Sequence, residues 1–80
     1  MASLNVTPLV VAVSDAQPPI TATLKSSHSA RRIEFSTDGG IEYFTPMYDN
    51  NTPTMLIVVS TIKLSHIRFT GAVNDNWSIR

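Results

Sequence analysis

Few side chains in this 80-residue chain could do chemistry, and their spacing limits what that chemistry could be. His28 and His66 are its only histidines. A serine or threonine nucleophile needs such a base beside it, oriented by a third group. Neither histidine belongs to a Gly-x-Ser-x-Gly elbow. His28 sits in the polar run Lys25-Ser26-Ser27-His28-Ser29, and His66 alternates away from Ile67 and Phe69, so both read as surface or rim residues. Glu34 and Glu42 could form a carboxylate pair with one raised pKa, as acid–base catalysis uses. A solvated sheet face balanced by Arg32 explains them more simply. Asp38, Asp49 and Asp75 lie in turn-type contexts and do not follow the spaced calcium-loop pattern. Gly39-Gly40 lacks the lysine of a phosphate cradle. No catalytic residue, cofactor site or metal site is expected.

Arg31, Arg32 and Arg68 together with Phe35, Tyr43, Phe44, Phe69 and Trp77 give the basic and aromatic mixture that single-strand-binding barrels use. Six basic and six acidic residues cancel, however, and phosphate contacts dominate such affinity. Nucleic acid is therefore not the expected partner. A neutral chain also has no field to draw it to an anionic membrane, and the longest apolar run, Met55 to Val59, is too short to cross a bilayer. Met1-Ala2-Ser3-Leu4 has no basic stretch of the secretory kind. The absence of cysteine rules out disulfides and thiolate metal sites and is compatible with a reducing compartment. A domain this small buries only about 60–65% of its unfolded surface, so support from oligomerisation or a larger partner is expected.

The elements that must position these residues are strands. Val, Ile, Thr, Phe and Tyr are frequent, turn residues recur at intervals of roughly eight to twelve, and no helical stripe is sustained. Leu4 to Val13 reads as a first strand with a register shift near Pro8. Ile20-Thr21-Ala22-Thr23-Leu24 alternates, with Ile20, Ala22 and Leu24 inward. Ala30 to Phe35, the turn Thr37-Asp38-Gly39-Gly40 and Ile41 to Phe44 read as a β-hairpin, with Ile41 and Tyr43 facing together. Thr45 to Pro53 reads as a long exposed loop, either a crossover between sheets or a contact surface. Thr54 to Thr61 is apolar on both faces and uncharged, so it should be central and covered by another layer or another subunit. Ile62-Lys63-Leu64-Ser65 makes a corner, and His66 to Thr70 and Trp77 to Arg80 complete the set. The expectation is one all-β domain over residues 1–80: a small antiparallel sandwich or barrel of about seven short strands, no significant helix, and an extended segment at 1–8.

The stretches Ile33-Glu34-Phe35-Ser36-Thr37-Asp38-Gly39-Gly40, Ile67-Arg68-Phe69-Thr70-Gly71 and Trp77-Ser78-Ile79 together resemble the small β-sandwich structural proteins of tailed bacteriophage virions. The resemblance covers residues 30 to 80 and is one of style, with no shared catalytic or ligand motif to carry over. It implies a capsid decoration (cement) protein in the virion, made in the host cytoplasm. Its partners would be the major capsid or other virion proteins and further copies of itself, often as a trimer. It also allows a head–tail joining part, or a tail or fibre module that binds a host glycan through Tyr43, Tyr48 or Trp77. The expected contacts are Ala2, Ser3, Leu4, Asn5, Val6, Thr7 and Pro8 at the N-terminus and Pro46, Met47, Tyr48, Asp49, Asn50 and Asn51 in the long loop. Deleting Ala2 to Thr7 is expected to weaken assembly more than the fold.

Overall fold

The computed structural model describes residues 2–80 and contains strands but, among the described residues, no helix. The strands are β1 (Ala2–Ser3), β2 (Leu9–Ala12), β3 (Ile20–Lys25), β4 (Arg32–Ser36), β5 (Asn50–Thr52), β6 (Met55–Ser60), β7 (His66–Thr70) and β8 (Asn76–Ile79). They form a five-stranded sheet in the order β1-β8-β3-β6-β5 and a three-stranded sheet in the order β2-β7-β4. All pairings are antiparallel. Only β5 and β6 are joined by a tight turn within one sheet; every other connection passes from one sheet to the other.

Alternation makes the sandwich. Ile20, Ala22 and Leu24 of β3, Leu56 and Val58 of β6, Ile33 and Phe35 of β4, and Ile67 and Phe69 of β7 point between the sheets and are buried. Each large side chain removed from water in this way contributes about 1.5–3 kcal/mol. Trp77 and Ile79 of β8 and Leu9 and Val11 of β2 pack partly buried at the margins of the core. The Trp77 ring lies 5.3 Å from that of Phe69, tilted by 33°. Leu64, buried at the corner between β6 and β7, fills the seam where the chain changes sheets.

Three expectations are corrected. The arm Ile41 to Phe44 does not return as a strand. Only Phe44 bridges to Phe35, and Ile41 is 81% exposed. Gly39 and Gly40 do take the positive φ angles of a tight turn, at 83° and 85°. The donors that follow are taken by side chains instead of a ladder: Gly40 N–H donates to Ser36 Oγ at 3.0 Å, Glu42 N–H to Asp38 Oδ1 at 3.0 Å, and Gly39 N–H to Ser65 Oγ at 3.0 Å. Local side-chain acceptors of this kind compete directly with strand pairing.

Second, Thr45 to Pro53 is not wholly loop, because Asn50–Thr52 pairs with β6. With β1 this raises the strand count to eight. Third, Leu4 to Val13 is not one strand, because only Leu9–Ala12 pairs with β7 and Leu4 is buried in the core. The strand expected over Thr54 to Thr61 is present as Met55–Ser60, after a turn at Pro53-Thr54. This strand, β6, is interior to its sheet between β3 and β5, as expected, and among the described residues no further strand layer lies over its outer face. Met55 and Ile57 are half-buried there and Val59 is exposed.

Candidate functional site

The outer face of the three-stranded sheet carries the densest polar cluster. Glu34 of β4 and Arg68 of β7 are directly opposite each other. Arg68 donates through Nε and Nη2 to Oε1 and Oε2 of Glu34, both at 3.0 Å. Tyr43, from the connecting loop, lies with its ring 4.0 Å from the guanidinium carbon. Glu34 is buried although it lies on the outward phase of its strand. Glu34 raises the pKa of Arg68 above its already high ordinary value, first through the hydrogen bonds. The guanidinium is therefore a fixed cation, suited to holding a carboxylate and not to proton transfer. Arg32 adds a looser contact to Glu34 at 3.8 Å. Glu42, by contrast, is exposed on the loop and not on a strand facing Glu34.

His66 shares this face and pairs in register with Ser36. Ser36 Oγ, however, donates to Asp38 Oδ1 at 2.9 Å and not to the imidazole. Nδ1 of His66 is buried without a hydrogen-bond partner and packs toward Gly40, where an added Cβ would lie 3.5 Å from it and 3.2 Å from Tyr43 Oη. A nucleophile–base contact is thus missing at this histidine. His28 closes a local turn, with its Nδ1 accepting from Ala30 N–H at 3.1 Å.

The three turn aspartates each brace the main chain. Asp38 is held below the ordinary carboxylate range, first by the Glu42 N–H and then by the Ser36 hydroxyl. Asp49 Oδ2 accepts from Val59 N–H at 2.7 Å, beside the bond from Asp49 N–H to Ile57 O. Asp75 Oδ2 accepts from Ala72 N–H at 2.7 Å. Among the described residues no group of three or more acidic or histidine side chains could hold a metal ion.

The arginine–aromatic set is also dispersed. Phe35 and Phe69 are core residues and Trp77 leans on Phe69. Arg31 donates to Thr52 O at 2.9 Å and to Asn51 Oδ1. Tyr43 covers Arg68, and the Tyr48 hydroxyl is committed to the main chain of Ile33. Tyr43, Tyr48 and Trp77 are each half-buried.

The expected contact segments prove to be mixed. Ala2 and Ser3 are exposed on β1. Leu4 is fully buried in the core; its N–H donates to Asp75 O at 2.7 Å and its carbonyl accepts from Asn74 N–H at 2.8 Å. Asn5, Val6, Thr7 and Pro8 are exposed, with Thr7 Oγ1 accepting from Gly71 N–H at 3.2 Å. In the loop, Pro46 and Tyr48 are half-buried, while Met47, Asp49, Asn50 and Asn51 are exposed. Met47 is 92% exposed. Sequence reasoning missed Ile41 and Phe44, which the same connection also presents outward. Their apolar character was visible, but it was assigned to a strand face. A shallow depression of about 530 Å³, lined by Lys25, Ser26, Ser27, Thr54, Met55 and Asp75, opens at the far end of the larger sheet.

The fold and surface define a small all-β sandwich of two antiparallel sheets whose polar clusters brace loops. Comparison with family models, with curated proteins and with solved structures finds no match to this chain.

Proposed function

We propose that the chain is a non-enzymatic virion structural protein, a capsid decoration protein that bridges neighbouring capsid subunits. The observation that carries this reading is the connection from Thr37 to Asp49. It presents Ile41 (81% exposed), Phe44 (44%) and Met47 (92%) to solvent. Contiguous exposed apolar surface marks interaction sites, and three of the large apolar side chains that this chain exposes lie on this one connection. This connection is also braced in place. Ser36, Asp38 and Ser65 fix its start, Phe44 pairs with Phe35, the Tyr48 hydroxyl meets Ile33, and Asp49 is tied to β6. A contact surface ordered before it meets its partner loses less entropy on binding. Zero net charge suits a part that packs closely into an assembly.

The test is saturable binding of the purified chain to empty shells assembled from a major capsid protein of the same genome. Binding that raises the heat resistance of the shells is expected, with Ile41→Asp and Met47→Asp each weakening it at least tenfold while leaving the circular dichroism spectrum intact. Shells that take up no protein at micromolar concentration would sink the proposal.

A further inference from the structure

The three-stranded sheet has two edges, and they are treated differently. Strand β7 lies between β2 and β4, so each outer strand turns alternate main-chain groups away from it. On β4 the outward residues are Ile33 and Phe35, and both are closed. Ile33 N–H donates to Tyr48 Oη at 3.0 Å and its carbonyl accepts from the same hydroxyl at 3.3 Å. Phe35 exchanges both of its main-chain bonds with Phe44, each at 2.9 Å.

On β2 the register and the bond from Val13 N–H to Ser65 O turn Leu9, Val11 and Val13 toward β7 and leave Val10 and Ala12 facing outward. Among the described residues no donor or acceptor reaches the outward groups of Val10 or Ala12. The strand is Leu-Val-Val-Ala, and no charged residue occurs before Asp15. Val10 is 48% exposed, and Leu9 and Val11 are only partly covered at the margin of the core. The other free edges are unlike it: β1 is two residues long and β5 is Asn-Asn-Thr.

We propose that the open edge of β2 pairs with β2 of a second copy of this chain, antiparallel, about a two-fold axis through Val11. The choice of a second copy follows from the pattern itself. A donor and acceptor on Val10 and another donor and acceptor two residues on, at Ala12, are their own complement under that rotation. Val10 of one copy exchanges its bonds with Ala12 of the other, and the reverse. Charge agrees with this choice, because a charged edge would repel its own copy and this one carries none. The pairing would join the two small sheets into one continuous sheet and bring the half-covered Val11 side chains together at the axis. It goes beyond the capsid reading and does not depend on it.

Pairing of this kind places the two Val11 residues in a non-hydrogen-bonded pair with Cα atoms about 4.5 Å apart, within the range of about 4.4–6.8 Å that a disulfide spans. The native chain has no cysteine, so the background is clean. Val11→Cys should oxidise to a disulfide-linked dimer at least tenfold faster than Val59→Cys, whose exposed site lies on the other sheet. Sedimentation velocity of the unmodified chain should show dimer at high micromolar concentration. Ala12→Pro removes only the outward N–H, and Ala12→Lys charges the edge; both should remain monomeric with an unchanged circular dichroism spectrum. A monomeric unmodified chain, equal oxidation of the two cysteine variants, or a dimer that survives Ala12→Pro and Ala12→Lys would each overturn the proposal. Monomer that still saturates capsid shells would do so while leaving the capsid reading standing, and dimer that ignores the shells would do the opposite.

Discussion

Glu34 and Arg68, opposite each other on β4 and β7, form a bidentate ion pair roofed by the Tyr43 ring. The two partners are not equally buried: the Glu34 side chain is 11% exposed and that of Arg68 31%. Removing the arginine strands a carboxylate with little water, whereas removing the carboxylate leaves a guanidinium that can turn outward on its long stem. Arg68→Met should therefore cost about 2–4 kcal/mol, and Glu34→Gln should cost less than half as much. Urea unfolding of the two variants at neutral pH measures this. Equal losses would show that burial of Glu34 does not set the cost.

The Tyr48 hydroxyl serves as both acceptor and donor for the main chain of Ile33. Tyr48→Phe keeps the ring but leaves a strand edge unsatisfied, and should cost about 1–2 kcal/mol. Amide exchange at Ile33 should accelerate while that at Phe35, bonded to Phe44, changes less. Uniform acceleration across β4 would mean that the whole edge opens together.

Leu4 is buried although its neighbours on both sides are exposed. Leu4→Ala should cost about 2–5 kcal/mol, while Val6→Ala nearby should be almost silent. Deletion of residues 2–7 would take this side chain with it, and so would act on stability before it acted on any partner. Thermal melts of the point variants decide the matter: a Leu4→Ala melting temperature equal to that of the unmodified chain would remove Leu4 from the core.

Asp38 offers a pH signature. Its carboxylate is held below the ordinary range, first by the Glu42 N–H and then by the Ser36 hydroxyl. A group whose folded pKa is depressed adds stability that is complete above its unfolded pKa, near 4, and is lost as pH falls through the lower folded value. The gap in urea midpoint between the unmodified chain and Asp38→Ala should hold steady from pH 7 to 5 and narrow below about pH 4. A gap that stays constant down to pH 2 would contradict the assignment.

Periodicity made the two-layer frame legible. Ile20/Ala22/Leu24, Ile33/Phe35 and Ile67/Phe69 each alternate because one face of their strand is buried and the other is not. Features that rest on bonds between distant residues left no periodic trace. Tyr48 closing the edge at Ile33, Asp49 capping Val59 N–H and Leu4 inserting beside Asp75 are examples. The Asp-Gly-Gly turn was visible, and the positive φ angles at its glycines follow from it. What it could not disclose is that Ser36, Asp38 and Ser65 would capture the donors on its far side. Glu34 was placed on the outward face, and neither its burial nor the Tyr43 ring folded over its partner Arg68 is encoded by a local pattern. The same holds for the surface: Met47 was among the expected contacts of the long loop, whereas Ile41 and Phe44 looked like strand residues until the ladder proved absent.

Ala2 lies in register with Trp77. The first strand therefore has no neighbour until one of the last is made, and with nearly every connection crossing between layers there is little that can form piecemeal on the way. Such a chain should fold slowly for its length and after, not during, synthesis of its final strand. In the interval its uncharged Leu9–Ala12 and Met55–Ser60 segments are available to one another across different molecules, so yield in the cell should depend on how fast the chain is made.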